Sequence, residues 1–369
     1  MRSARVVMHV DLDYFFAQCE ERENPILAGR PVVVCVYSGR GGDSGAVSTA
    51  NYVARQYGVK SGIPIMRAKR ILKDEEAVFL PVRHEFYEAV SRKTMDMLRR
   101  YASRFEQVGI DEVFLDVSDQ VGGDFERARE LAKEIKRSVL AEEKLTCSIG
   151  VGPNKLVAKM ASGFQKPDGL TVVKPGEVEH FLSDMPIGKL YGVGRKTEKV
   201  MRKLGIKTIG ELSRHDVRKL VEVFGKTLGN YFHHASLGVD ESPVQERGRA
   251  QSISRIVTLK QNTRDLNIIL EEVYPLCDDV HSRAVEQGLS FRSISTIAVM
   301  RDLSIRTRSK TLESPTSELD VIRRTAKELF EQLLDEEQEL EVRRAGVKVS
   351  SLAQFQKRQT YLTDFVGQA

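Results

Sequence analysis

Two acidic pairs, each closing an apolar strand, constrain this chain more than any other feature. RVVMHV (5–10) reads as a short buried strand and runs into Asp11-Leu12-Asp13. FEQVGI (105–110) and EVFLDV (112–117) read as two strands, almost continuous across Asp111, with Glu112 beside it. Carboxylates at strand ends are a poor use of β-propensity. Each pair alone reads as solvated turn residues. Two pairs, each after an apolar strand, bring in a second reading beside that one. If the first strand lies next to the 105–117 pair in an antiparallel sheet, Asp11, Asp111 and Glu112 converge at one edge. Three such carboxylates repel unless cations neutralise them, and hard oxygen ligands favour magnesium or manganese. The matching chemistry is two-metal phosphoryl transfer, with cations about 3.5–4 Å apart.

The rest of the chain must build a scaffold for that edge. At about 100–200 residues per domain, 369 residues suggest two to four domains, with cores large enough to need no cross-links. Cys19, Cys35, Cys147 and Cys277 lie far apart, without metal-ligand spacing, which fits a reducing cytoplasm. The longest apolar run, 32–37, is too short to cross a bilayer, and the N-terminal apolar stretch is too short for a signal peptide. No membrane partner is expected.

The pattern over 5–151 is a strand, then α-β-β-α-β, with helices expected at 84–101, 124–140 and from Asn154. That order suggests a split βαβ, ferredoxin-like sheet with helices on one side. Between its first strand and the helix at 84–101 come a strand at 31–36, a Gly-rich turn at 38–45, and a strand at 46–48 leading into a helix, TANYVARQYG, that stops at Gly58. Residues 171–235 read as mainly helical. Residues 236–250 carry Gly, Pro, Ser and charge without apolar periodicity and read as a linker. Strands at 252–259, 290–300, 303–311 and 342–352, with helices at 265–287 and 317–334, give a second β-α-β-β-α-β unit. Residues 353–369 are left as a tail.

VDLDYFFAQCEE (10–21), VSTANYVARQYGVKSGIP (47–64), GIDEVFLD (109–116), SIGVGPNKLVAKMAS (148–162) and QKPDG (165–169) resemble, in order, the successive motifs of Y-family DNA polymerases of the DinB, or polymerase IV, branch. The resemblance covers nearly the whole chain. It implies an α+β right-hand fold: palm at 1–20 and 78–170, small fingers at 21–77, helical thumb at 171–235, linker at 236–250, little finger at 251–352 and a tail at 353–369. It implies a DNA-directed DNA polymerase performing low-fidelity translesion synthesis without proofreading. Asp11 and Asp111 would bind both magnesium ions, or manganese in their place. Glu112 would hold the ion that activates the primer 3′-hydroxyl, and the Leu12 carbonyl would complete the nucleotide-side ion. Asp13 falls outside that set and is expected to be structural. Gly109 stands where the family often has Ser, a departure expected to affect packing rather than metal binding.

Thr49, Tyr52 and Arg55 recur every three residues on the expected helix and so would share a face. That face is either an ordinary exposed ridge or a set of polyphosphate donors. The resemblance assigns these residues, with Lys166, to the phosphates of a dNTP. Phe16 aligns with the family's steric gate against a ribose 2′-hydroxyl, whereas Tyr14 and Phe15 read as core aromatics.

Basic charge has a partner to find. The net charge is only +5, but it is unevenly spread. Residues 187–207 hold seven Lys/Arg and one Glu around Gly192-Val193-Gly194, Arg195 and Lys196. This resembles a helix-hairpin-helix, whose backbone amides approach a DNA phosphate. In the last unit, Arg247, Arg249 and Arg255, then Arg301, Arg306 and Arg308, then Arg343 and Arg344 lie on or beside strands, while 331–341 carries six acids and no base. Basic strands on primer-template DNA, with acidic helices facing solvent, is the expected arrangement. In the tail, Gln359, Leu362, Phe365 and Val366 fit the peptide that plugs into archaeal or eukaryotic sliding clamps, which favours an archaeal type. A monomer on DNA is expected. Two other readings compete: a restricted-insertion nucleotidyltransferase on the same fold, and a non-catalytic DNA- and clamp-binding adaptor, which would have no need of three mutually repelling acids.

Overall fold

The structure, a computed structural model, describes residues 4–246, 248 and 250–354. Chain contacts divide it into two units: 1–35 with 47–63 and 68–247, and 36–46 with 64–67 and 248–369. Arg247, Arg249 and the tail positions Gln359, Leu362, Phe365 and Val366 lie outside the described residues.

In the first unit β1 (Val7–Leu12) leads into α1 (Phe15–Glu23). A small three-stranded sheet follows: β2 (Val32–Tyr37), β3 (Gly45–Ala50) and, after α2 (Tyr52–Gln56) and α3 (Ile65–Ile71), β4 (Val78–Pro81). β4 pairs parallel to β2, so this sheet reaches past residue 77. Then come α4 (His84–Arg99), β5 (Arg104–Gln107), β6 (Glu112–Asp116), the short α5 (Ser118–Val121), α6 (Phe125–Ser138), β7 (Cys147–Gly152), α7 (Lys155–Ser162) and β8 (Leu170–Val172). The central sheet runs β5-β6-β1-β7-β8. Its first strand is therefore interior, antiparallel to both β6 and β7, with Asp11 opposite Glu112.

β5 and β6 are not one nearly continuous strand. They form an antiparallel hairpin, Gln107 opposite Val113, closed by a turn in which the amides of Val108 and Gly109 both donate to the Glu112 carbonyl at 3.1 and 3.2 Å. Both strands are apolar on one face, so periodicity cannot show where the chain folds back. The turn places Asp111 at the sheet edge rather than in mid-strand.

The α2 boundary also differs from expectation. Asn51 caps the helix, its side chain accepting from the Ala54 amide, and Thr49 belongs to β3. A Ser-Thr-Ala run extends as readily as it coils, and the Asn cap decides the start.

The helical stretch that follows contains α8 (Val178–Ser183), α9 (Arg195–Lys203), α10 (Ile209–Ser213) and α11 (Val217–Ser236). Gly192 has φ +87°, and Gly194 is the residue before α9. The segment after α11 is no free linker up to Glu246. Asn154 donates to the Gly238 carbonyl at 2.7 Å, the Leu156 amide to Asp240 at 3.0 Å, and Val244 is buried. These anchors are carbonyls, one carboxylate and a single apolar side chain, none of which makes a period.

The second unit adds β9 (Ser252–Thr263), α12 (Leu266–Glu286), β10 (Leu289–Met300), β11 (Ile305–Thr316), α13 (Leu319–Glu336) and β12 (Val342–Ser350), with strand order β11-β10-β12-β9. Its core lies between one sheet face and both helices, with Phe291, Phe330 and Leu333 among its buried side chains. Among the described residues no helix is long and apolar enough to cross a membrane.

Candidate active site

The sheet edge in the first unit carries a cleft of about 250 Å³, lined by Asp11, Leu12, Phe16, Thr49, Arg55, Asp111 and Lys166 together with Tyr14, Phe15, Ser48, Ser61 and Ile110. Residues from four separate stretches of sequence meet here because β1 is central. The Leu12 amide donates to the Asp111 carbonyl at 2.8 Å, locking the two acid-bearing segments together.

The carboxylates are not equivalent. Asp111 is pushed up to about 6, first by burial and then by Asp11 and Glu112. Glu112 is held down to about 2 by hydrogen bonds from His9 and Lys159, against its own burial. Lys159 Nζ sits 2.5 Å and His9 Nε2 3.5 Å from Glu112 Oε2. Lys166 donates to Asp11. Each outer acid thus has a lysine as counter-ion, and among the described residues Asp111 has none in hydrogen-bond contact. Among the described residues no three His, Cys, Asp or Glu side chains form a ready cation cage. Asp11 and Asp111 share the cleft, whereas Glu112 turns towards Lys159 and His9.

His9 is fully buried, and burial lowers its basicity. With a proton on Nε2 it donates to Glu112, while Nδ1 lies 2.8 Å from Ser162 Oγ, whose hydroxyl also reaches the Lys159 carbonyl at 2.9 Å. Sequence reasoning missed both His9 and Lys159. The available signal was the SIGVG run: Gly150 lets α7 press on the sheet, since a Cβ there would lie 2.1 Å from the Ala158 carbonyl oxygen. That close approach delivers Lys159 and Ser162 to His9.

Gly109 does more than pack. A Cβ at this position would stand 3.0 Å from Glu112 Cγ and 3.3 Å from Asp111 Oδ1, so the missing side chain gives both acids room. Asp13, set apart from the ligand set in the sequence, is fully buried. It accepts from Ser148 Oγ at 2.7 Å, Thr146 Oγ1 at 3.0 Å and the Asp168 amide at 2.8 Å, tying down the loop that carries Lys166.

Thr49 and Arg55 line the cleft from β3 and α2 rather than from one helix face. Tyr52 stands beside them, its ring 4.7 Å from the Arg55 guanidinium carbon. Arg55 is oriented by its own Nε donating to the Ala50 carbonyl at 2.8 Å. Phe16 reaches the cleft from α1. Tyr14, in the left-handed region at φ +34°, turns the chain from β1 into that helix.

Matches to known proteins agree with this geometry. Models of the impB/mucB/samB family fit residues 10–163, of its C-terminal domain 250–362, and of its helix-hairpin-helix motif 175–206. A DNA polymerase IV of Nitrosopumilus maritimus is 46% identical over 353 residues, covering 95% of this chain and 97% of its own. The chain is a Y-family DNA polymerase of the DinB branch. It is similar to a Y-family polymerase chimera, Dbh-Dpo4(243-245)-Dbh, with a TM-score of 0.89 and 37% identity over 95% of this chain and 99% of that one. An insertion ternary complex of Dbh DNA polymerase aligns with a TM-score of 0.68 at 37% identity, covering 94% and 98%. A DinB-branch chain is a DNA-directed DNA polymerase, with the divalent-metal dependence general to its family.

The strand cations of the second unit are not free as the charge pattern suggested. Arg255 pairs with Asp279 on α12, Arg306 with Glu337 at the end of α13, and Arg308 with Glu336. Arg301 stands 3.8 Å from Glu341. Charge counted along the chain separates strands from helices. In the fold, side chains on β9 and β11 alternate faces, and these arginines fall on the side that meets the helices. On β12, Arg344 and Lys348 alternate with the core residues Ala345, Val347 and Val349 and so occupy the opposite face. Arg343 sits at the register shift between Val342 and Arg344.

Proposed function

We propose that the cleft adds a deoxynucleotide to a primer 3′-hydroxyl on template DNA, with palm, fingers, thumb and little finger divided as the motifs imply. The carrying observation is the pair Asp11 and Asp111 in one cleft with Thr49, Arg55 and Lys166. Acids able to hold cations and bases able to hold phosphates line the same cleft, with Lys166 in contact with Asp11. The donor set suits hard divalent ions: carboxylates and a carbonyl, with lysines already drawn to the outer acids. Asp11, Asp111, Glu112 and the Leu12 carbonyl would hold two magnesium ions, or manganese. Bound there, the ions would supply charge neutralisation at the reacting phosphate.

The chain's own groups do the rest. Arg55 offers forked donors to the triphosphate and Lys166 a point charge, releasing Asp11 as it turns to the phosphate. Tyr52 orients Arg55. Glu112, kept ionised by His9 and Lys159, is ready to coordinate at neutral pH. Phe16 closes the floor below the sugar and collides with a 2′-hydroxyl. The hairpin amides around Gly192 and Gly194, with Arg195 and Lys196, would hold the DNA backbone, and Arg344 would do so on the second unit's open face. An open site of this kind would copy damaged templates with low fidelity. The tail peptide Gln359, Leu362, Phe365 and Val366 would engage a sliding clamp, with the polymerase working as a monomer in the cytoplasm.

Primer extension on a defined template with four dNTPs and magnesium tests this reading. Asp111→Ala should abolish extension while DNA binding, read by fluorescence anisotropy, survives. Full extension by that variant refutes the metal assignment. Removing 359–369 should leave distributive synthesis intact and end stimulation by the clamp.

A further inference from the structure

A steric gate discriminates only if it cannot yield. Phe16 is half-buried at the end of a short helix, and a ring in that position could rotate away from an incoming hydroxyl unless something stands behind it. Tyr87 on α4 stands there. The two rings are stacked, centroids 4.2 Å apart and planes 14° from parallel. His84 meets Phe16 edge-on at 6.3 Å, one turn earlier on the same helix.

Tyr87 is itself immobilised. It is fully buried, and its hydroxyl donates to Glu20, which is also buried. Arg83 grips Glu20 with both arms, Nε to Oε1 at 2.9 Å and Nη2 to Oε2 at 2.5 Å, and also reaches Glu23 at 3.2 Å. The Arg83 guanidinium carbon lies 4.3 Å from the Phe86 ring centroid. Phe16 and Glu20 are four residues apart on α1, and Arg83 and Tyr87 four apart at the start of α4, so two helical ridges face each other. One contact is the ring stack and the other is the charged clamp. Tyr87 does not line the cleft, so its influence on a nucleotide passes through Phe16.

We propose that Tyr87 is a positioning residue for sugar selectivity, holding Phe16 against displacement through the Glu20–Arg83 clamp. This rests on Phe16 acting as the gate. Pressure from a 2′-hydroxyl on Phe16 is passed to a ring that has no space to move into and a hydroxyl that is tethered. Loss of the stack lets Phe16 retreat, and the ribonucleotide then fits without loss of the deoxynucleotide.

The test is single-nucleotide insertion by the full chain, reading the ratio of kcat/KM for a dNTP to that for the matching rNTP in three variants. Phe16→Ala should lower the ratio by about a hundredfold or more, Tyr87→Leu by about tenfold, and Tyr87→Phe, which keeps the ring but cuts the tether, by about two- to threefold. Deoxynucleotide kcat/KM in the Tyr87 variants should stay within about threefold of the parent. A merely loosened core lowers insertion of both sugars together and leaves the ratio alone. If Phe16→Ala relaxes selectivity while Tyr87→Leu and Tyr87→Phe keep the parent ratio, the positioning role is wrong. If Tyr87→Leu does not fold, Tyr87→Phe decides, since it preserves the core volume. If Phe16→Ala leaves the ratio unchanged, the gate reading itself fails and Tyr87 falls with it.

Discussion

The two sheets share the chain order β-α-β-β-α-β and differ in how the strands are laid side by side. In the first unit the opening strand is interior, between β6 and β7. In the second the opening strand, β9, is at an edge, and β10 and β12 are interior. The difference decides what each sheet can do. An interior opening strand brings Asp11 against Glu112 and the Asp111 turn, concentrating charge that is half-buried and only partly balanced. The edge arrangement spreads charge along outer strands, where helix acids reach around and neutralise it. Concentrated charge makes chemistry at a cost in stability. Dispersed charge makes a tolerant surface.

Substitutions can break this contrast. The largest expected effect is at the first sheet: Asp11→Ala should reduce primer extension by roughly 10³-fold or more, because no other group can replace its charge at the reacting phosphate. Gel-based extension checks it. Substituting Arg308, a paired cation of the second sheet, should leave the chemical step unchanged.

A second effect concerns stability. Asp111 titrates near 6 in the folded chain against 3.8 as its ordinary value, so the folded state binds the extra proton. Stability from this group is greatest at low pH and declines as pH rises from about 4 to about 6. In metal-free buffer at pH 8, Asp111→Asn should therefore be more stable than the parent by about 1–3 kcal/mol, with the gain gone by about pH 4. Thermal or urea melts in a chelator at the two pH values measure this. A constant difference across pH would mean that Asp111 is not strained by its neighbours.

A smaller effect separates free from paired cations on the second sheet. Arg344→Ala and Lys348→Ala should each weaken DNA binding and reduce the salt slope by about one unit, whereas Arg306→Ala should change it less. Anisotropy at several salt concentrations distinguishes them. The smallest effect is the surface pair itself: a double-mutant cycle on Arg308 and Glu336 should give at most about 1 kcal/mol, since Glu336 is 57% exposed.

Much of the site was legible because its chemistry is written in local runs. Asp11 and Phe16 share one short motif, Asp111 and Lys166 sit in two others, and the fold brings all four to one cleft. The groups that tune them were not legible. His9 looks like a strand residue among valines, and Lys159 like one more helix cation. Only the glycine-lined packing of α7 on β7 shows that both meet Glu112. Asp13 shares the first acid pair, and two residues apart in a strand would put it on the same face as Asp11, but β1 ends at Leu12 and the turn through Tyr14 sends Asp13 to Thr146 and Ser148 instead. A spacing of three fits a helix at Thr49, but the Asn51 cap starts α2 at Tyr52 and leaves Thr49 in β3.

By itself, the sequence determined the order of elements, the two α+β units and the identity of the acids, because hydrophobic period, turn residues and short motifs are local properties. The tertiary structure decided strand order, which side of a sheet each arginine occupies, and which lysine answers which carboxylate. Those depend on distance in space between residues far apart in the chain, and electrostatic and packing energies are set by that distance.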